Sequence, residues 1–372
     1  MISTEKIYRV GGFVRDQMLG VASCDCDFVV VGTTPDEMLQ NGFKPVGRDF
    51  PVFLHPQTHE EYALARTERK SGKGYHGFTF YTATDVGICE DLKRRDLTIN
   101  AMAENVATGE KVDPFGGAAD LRNKFLRHVS PAFAEDPVRI LRLARFWARF
   151  PHFTIAQETQ NLCWKMVQNG EIDFLVAERV WQEFAKGLME KTPSKMLEFW
   201  WDFGIFRHFF KNVDFSMVNP KKFSKLNAAA AQNLTLNQRF ALVCALLGES
   251  KKIAVSLKVP KDCATAAMFL CRFQNPDFEG FRAEDWCDFL QAFDVLRRPK
   301  RFEDYIQSAR ILNVALDENL LRRAALAFGS AKIMKIVHNT PPSELTKKIR
   351  QVRIAALLDF LKERICDEKA SG

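Results

Sequence analysis

The chain holds no Cys-x-x-Cys pair and no histidine between His208 and His338. It also lacks any apolar run near the ~20 residues that span a membrane. Each absence removes a class of protein. The nine cysteines, Cys24, Cys26, Cys89, Cys163, Cys244, Cys263, Cys271, Cys287 and Cys366, are scattered and odd in number. Neither a disulfide framework nor a zinc site of ordinary spacing is expected from them. They read as small core hydrophobes in a reducing cytoplasm. The opening residues, Met1-Ile2-Ser3-Thr4-Glu5-Lys6, form no apolar segment ahead of a cleavage site, so no signal peptide is expected. The histidine-free stretch leaves no His and Asp cluster for a hydrolytic metal centre there. Internal repeats and low-complexity tracts are missing too.

What is present suits a folded globular protein. Of the 372 residues 47% are hydrophobic and 27% charged, an ordinary balance, and the length suggests about two or three domains. Lys and Arg outnumber Asp and Glu by 53 to 46, a net charge of +7. That excess permits a polyanion partner without requiring one.

The pattern changes near residue 130. Before it, residues 7–10, 28–31 and 62–65 read as strands, and 101–112 as a hairpin turning at Thr108-Gly109. One helix is expected after Gly12. Another opens at Thr34-Pro35-Asp36-Glu37, with a capping Thr, Pro in the first turn and Glu three residues after the cap. Beyond it the periodicity is almost wholly helical, as in 136–150, 177–189, 237–247 and 349–362. Breaks are expected at Pro193, Asn219-Pro220, Asn275-Pro276, Pro299 and Pro341-Pro342. The expected class is α+β: a head with a small mixed sheet over 1–130, a helical neck over 131–190, and a helical body and tail over 191–372.

Three clusters carry chemistry. Val10-Gly11-Gly12-Phe13-Val14-Arg15-Asp16 runs from a strand through two glycines into a helix. Such a turn lets a ligand approach the backbone, and a helix start with an arginine suits phosphate. Alone, a Gly-Gly turn is more often structural. Asp25 and Asp27 lie two apart at the mouth of a strand, where the pleat puts both carboxylates on one face. Alone they read as two solvated acids. One helix after the Gly-Gly turn they read as hard oxygen ligands that, together with a nucleotide's phosphates, suit Mg²⁺. Glu135-Asp136-Pro137-Val138-Arg139 opens a helix in which Arg139, Arg142 and Arg145 recur every three residues. Asp136 is suited to cap it, and arginines beside an aspartate offer donors and an acceptor to the edge of a base.

With these stand 46–72, Asp91-Leu92-Lys93-Arg94-Arg95-Asp96-Leu97-Thr98-Ile99-Asn100 and His128-Val129-Ser130-Pro131-Ala132-Phe133. Together they resemble the polymerase-β-like nucleotidyltransferases. Within these they resemble the class II tRNA nucleotidyltransferases, the bacterial CCA-adding enzymes, in the form without an HD phosphohydrolase domain. The resemblance covers 7–190 and returns over 344–356. It implies a polymerase-β-like head and template-independent addition and repair of the 3′-terminal CCA of tRNA, from CTP and ATP with release of pyrophosphate. Mg²⁺ would be the cofactor and tRNA the partner, in the cytoplasm, with no membrane and no obligate protein partner.

The resemblance also assigns roles. Gly12 and Arg15 would contact the incoming phosphates, and Asp25 and Asp27 would be catalytic and hold the metal. Arg94, Arg95, Asp96 and Asn100 would hold the ribose and phosphates. Asp136 and Arg139 would read the base, with Arg142 nearby on the nucleotide. The loop 65–74 matches one associated with switching from C to A addition, Asp113-Pro114-Phe115-Gly116-Gly117 a joint of head and neck, and Glu178-Arg179-Val180-Trp181 a helix-stabilising neck motif. Where HD-bearing relatives carry His-Asp, residues 239–248 hold neither, so no phosphatase or phosphodiesterase activity is expected. Lys221-Lys222 with Lys225, Lys251-Lys252, Arg297-Arg298 with Lys300-Arg301, and Lys347-Lys348 with Arg350 and Arg353 could track an RNA backbone. A-only addition, a poly(A) polymerase and a catalytically inactive tRNA-binding module remain the other readings.

Overall fold

The computed structural model describes residues 2–22, 26–46, 52–70, 78–81, 84–274, 276–314, 316–330 and 340–371. Its contacts divide into two compact units, Met1–Lys211 and Asn212–Gly372. In the first, strands β1 (Ile7–Val10), β2 (Asp27–Val30), β3 (Lys44–Val46), β4 (Val52–Leu54) and β5 (Glu61–Leu64) precede a separate hairpin, β6 (Thr67–Lys70) and β7 (Phe78–Tyr81). Then come β8 (Ala103–Asn105) and β9 (Lys111–Val112), and the sheet runs β3-β4-β5-β2-β1-β8-β9. β2 and β5 are parallel and the other neighbours antiparallel, so the sheet is mixed. Strands β2 and β5 each begin one residue earlier than expected. The ladder with β1 extends β2 back to Asp27, opposite Val10.

The pleat sorts the side chains. Phe28 and Val30 join Ile7, Met38, Phe53 and Tyr62 in one cluster, while Val29 joins Val10, Leu92 and Ala103 in another. Successive residues thus serve opposite faces of a sheet buried on both sides. Gly109 turns the β8–β9 hairpin at φ 70, and Asn105 Oδ1 accepts the amides of Ala107 and Thr108.

Helices α1 (Gly12–Met18), α2 (Pro35–Gln40), α3 (Ile88–Lys93) and α4 (Gly117–Asn123) complete the sheet region, and the capping box on α2 forms as its sequence suggests. Then follow α5 (Val138–Arg149), α6 (Gln157–Gln168), α7 (Ala177–Leu188), α8 (Pro193–Asp202) and α9 (Ile205–Phe209). A short parallel ladder joins β10 (Phe125–Leu126) to β11 (Thr154–Ile155). The aromatic run beginning at Phe199 is core: Phe199, Trp200 and Phe206 are buried, and Trp200 lies 4.8 Å from Phe184.

The second unit is helical among its described residues. Its helices are α10 (Lys225–Ala231), α11 (Leu236–Leu247), α12 (Lys251–Ser256), α13 (Lys261–Arg272), α14 (Ala283–Phe293), α15 (Pro299–Ile311), α16 (Glu318–Ser330) and α17 (Pro342–Ser371). Pro193 and Pro299 open helices, since the missing amide proton costs nothing in a first turn. Cys163, Cys244, Cys263 and Cys287 are buried and unpaired, and burial pushes the Cys163 thiol up to about 12. No helix of the described residues is long and apolar enough to cross a membrane.

α4 starts in a tight place. Asp113 accepts the amides of Gly117 and Ala118, and a Cβ on Gly117 would overlap the Thr98 carbonyl oxygen. Backbone cannot swing aside as a flexible side chain can. Gly117→Ala should therefore destabilise the protein by about 1–3 kcal/mol, the range for overpacking, read as a lower urea midpoint. An unchanged midpoint would mean that α4 shifts at no cost.

Candidate active site

The turn between β1 and α1 requires glycine. Gly11 has φ 69 and ψ −124, and its amide donates to the Met102 carbonyl at 3.1 Å. A Cβ on Gly11 would sit 3.0 Å from Arg95 Nη1, and one on Gly12 would sit 3.4 Å from Arg15 Nη2. The turn is therefore flanked by two guanidiniums. Asp27, exposed at the start of β2, pairs across the ladder with Val10, the residue before the turn. Asp25 lies outside the described residues, as do residues 71–74 of the expected loop 65–74.

A chain of charged hydrogen bonds runs behind the turn. Arg15 donates through Nε to Asp16 Oδ1 at 2.8 Å and through Nη1 to Asn100 Oδ1 at 2.6 Å. Asn100 Nδ2 donates to Asp96 Oδ1 at 3.1 Å, and Arg142 Nε donates to Asp96 Oδ2 at 2.7 Å. Arg15 is only 3% exposed and lies against the rings of Phe146 and Phe150. Of the groups expected to bind nucleotide, Arg15, Asn100, Asp96 and Arg142 are thus joined in one network, with Gly12 beside it. Burial alone would raise the Asp96 pKa. The Arg142 charge, with hydrogen bonds from Asn100, Arg142 and the Leu97 amide, outweighs it and holds this carboxyl well below the usual range.

Arg94 and Arg95 converge on Asp91 from the next turn. Arg94 Nη2 lies 2.8 Å from Oδ1 and Arg95 Nη2 3.1 Å from Oδ2. Burial would raise the Asp91 carboxyl as well, and the two arginines bring it below its ordinary value. Asp91 was not singled out in the sequence, although it opens the segment that carries the arginines.

The arginine face of α5 is not an open surface. Arg139 is buried, and its Nη1 and Nη2 donate to the carbonyls of Ala132 and Arg94, each at 2.6 Å. Arg145 is buried against Glu183 of α7 at 2.7 Å. Asp136 meets partners on two elements. Its Oδ1 accepts the Val138 amide at 3.2 Å, the expected capping contact, and its Oδ2 accepts Arg179 Nη2 at 2.9 Å. Arg179, expected only to stabilise a helix, meets the base-reading candidate across 43 residues of sequence. Asp16 and Arg149, 3.0 Å apart, also went unassigned. No short spacing signals a partner so distant in the chain.

Four head aspartates, Asp16, Asp91, Asp96 and Asp120, are each paired with arginine, whereas Asp27 at the strand mouth has no cationic partner among the described residues. An open carboxylate at a strand mouth fits a hard divalent cation in its donor chemistry. No group of three or more metal-ligating side chains occurs among the described residues.

Comparison with known proteins defines the class and then the family. Residues 7–127 match the poly A polymerase head domain, and 152–217 a probable RNA and SrmB-binding site of polymerase A. This is a nucleotidyltransferase head followed by an RNA-binding segment. The CCA-adding enzyme of Bordetella pertussis is 45% identical over 95% of this chain and 96% of its own. The multifunctional CCA protein of Dechloromonas aromatica is 47% identical over 82% of each chain. A solved apo structure of a CCA-adding enzyme has the same fold, with a TM-score of 0.70 at 23% identity, covering 97% of this chain and 91% of that one. The chain belongs to the CCA-adding enzyme family of tRNA nucleotidyltransferases.

Asp96 offers a direct test of the network. Asp96→Asn should lower the unfolding free energy at pH 7 by about 2 kcal/mol, since it strips charge from a buried, hydrogen-bonded acceptor. The folded-state pKa lies below the unfolded one. The wild-type advantage should therefore be full above about pH 4 and shrink as pH falls below it. Urea titrations at several pH values measure both. An advantage that vanished between pH 7 and pH 5 would assign it to another group.

Proposed function

We propose that this chain adds C, C and A in turn to the 3′ end of tRNA, taking CTP and ATP and releasing pyrophosphate. The observation that carries the reading is the Gly11–Gly12 turn between two guanidiniums, with the Asp27 carboxylate, unpaired among the described residues, opposite the preceding residue. Among the other readings, a poly(A) polymerase shares such a head, and the close relatives named for CCA chemistry favour tRNA.

Asp25 and Asp27 would hold Mg²⁺, which when bound supplies charge neutralisation for the leaving pyrophosphate and activation of the attacking hydroxyl. The residues do the rest. The tRNA 3′ oxygen attacks the α-phosphorus of the nucleotide and the bond to the β-phosphate oxygen breaks. Gly12, Arg15 and Arg95 line the phosphates, Asp96 and Asn100 the ribose. Asp136, Arg139 and Arg142 form the protein template. Cytosine and adenine both present an exocyclic amino group where uracil and guanine present a carbonyl oxygen. A carboxylate accepts from the first and repels the second, and a polar site left unpaired rejects the wrong base strongly. The head 1–130, the neck 131–190 and the body and tail 191–372 would divide these tasks, with basic clusters of the body on the tRNA backbone, in the cytoplasm where tRNA is matured.

The test is incubation with Mg²⁺, CTP, ATP and a tRNA ending at its discriminator base, followed by sequencing of the 3′ ends. Ends extended by CCA with wild type and not with Asp27→Ala are expected. Extension only of tRNA already ending in CC would mean an A-adding specialist, and long A tails a poly(A) polymerase. Asp136→Ala should raise misincorporation by at least about tenfold, the effect of ~1.4 kcal/mol, while extension remains metal-dependent. Unchanged fidelity would remove Asp136 from the template.

A further inference from the structure

We propose that Asp16 and Arg149 are positioning residues for nucleotide transfer. They act through Arg15 to keep the phosphate turn of the head in register with the base-reading start of α5. The inference rests on the reading above and adds to it two residues with no assigned role.

The two ends of α5 do different work. Asp136 and Arg139 stand at its start, and Arg149 is its last residue. Arg142 and Arg149 are two turns apart, ~10 Å along the axis, and both grip acids of the head. Arg142 holds Asp96 at 2.7 Å and Arg149 holds Asp16 at 3.0 Å. Between these two ties Arg15 lies against Phe146 and Phe150, 5.5 and 5.3 Å from the ring centres. Asp16 is 6% exposed and splits its oxygens, Oδ1 to Arg15 and Oδ2 to Arg149. An ionised carboxylate so buried is stable only when charge and hydrogen bonds replace its water.

The position of Arg15 sets the turn itself. Its Nη2 is the atom that a Cβ on Gly12 would meet at 3.4 Å. If the guanidinium moves, so does one wall of the phosphate turn. Glu190 is a further carboxylate that feels the charges of Arg149, Arg145 and Arg15. Without Arg149, the Asp16 carboxylate, shared with Arg15 through Oδ1, loses its cation on Oδ2. The ties at Asp96 and Asp16 thereby make α5 a strut joining base choice at one end to phosphate alignment along its length. A misplacement of about 1 Å can cost a hundredfold in rate, so a strut of this kind has kinetic consequences beyond stability.

The experiment compares Arg149→Met, Arg149→Lys, Asp16→Asn and the double variant Asp16→Asn/Arg149→Met in full-length protein. The readouts are KM and kcat for CTP and ATP, 3′-end fidelity and the melting temperature. The Arg149 side chain is 35% exposed, so its truncation leaves no core cavity. Arg149→Met should raise KM for both nucleotides by about tenfold, with Tm within about 3 °C of wild type. Arg149→Lys should recover most of the loss, and the double variant should be no worse than the more impaired single, as for two groups acting as one unit. An unchanged KM in Arg149→Met, a loss that merely follows a fall in Tm, or additive losses in the double variant would each overturn the proposal. Wild-type protein that adds no CCA would overturn the parent reading with it. Active wild type with an unaffected Arg149→Met would overturn this inference alone.

Discussion

A carboxylate with 6% of its surface exposed must be held by groups that replace water, and Asp96 is held on both oxygens. The Leu97 amide and Asn100 Nδ2 take Oδ1, and Arg142 takes Oδ2. The order of the site follows from this contact. Because Asn100 gives its amide nitrogen to Asp96, its oxygen is turned to Arg15, and the network fixes which way round the amide lies. Arg15 in turn borders Gly12, and Arg142 anchors α5. One buried charge thus ties the Gly11–Gly12 turn and α5 together. Removing one partner from such a pair leaves an uncompensated charge, which is why the whole chain of contacts is expected to act as a unit.

The arginines of α5 show how one helix can address several elements. Arg139 reaches the carbonyls of Ala132 and Arg94, Arg142 reaches Asp96, Arg145 reaches Glu183 and Arg149 reaches Asp16. The steps of three, three and four residues keep all four on one side of a helix of 3.6 residues per turn. The other side carries Ile140, Leu143 and Ala144, each fully buried. The helix is thus packed on both sides, apolar on one and ionic on the other, with Arg139 and Arg145 buried and Arg142 and Arg149 partly exposed.

Local physics was legible in the sequence, and distant pairing was not. The capping box at Thr34, the turn at Gly109, the first strand and the long helices each depend on residues within a few positions of one another. The arginine periodicity announced a face. Nothing nearby announced its destinations, because Asp96, Glu183 and Asp16 lie 46, 38 and 133 residues away. Arg15 is the sharpest case. Its place after two glycines suggested a donor aimed at phosphate, and the fold adds partners that the sequence did not announce: Asp16 and Asn100 for its Nε and Nη1, and the rings of Phe146 and Phe150 against its guanidinium. Charge type was readable; which way the charge faces was decided by tertiary packing.

The two contacts on Asp136 bear on how a protein can act as a template. Its oxygens already accept the Val138 amide and Arg179. A carboxylate offers about four acceptor positions, so each oxygen keeps capacity for a further donor such as an exocyclic amino group. Reading a base therefore requires neither loss of the helix cap nor rupture of the ion pair. Both contacts restrict the rotation of the carboxyl group, and a fixed acceptor discriminates better than a mobile one because it cannot turn to suit a wrong partner. A cap, an ion pair and a base reader can be one side chain because each uses a different lone pair, and the first two give the third its fixed direction.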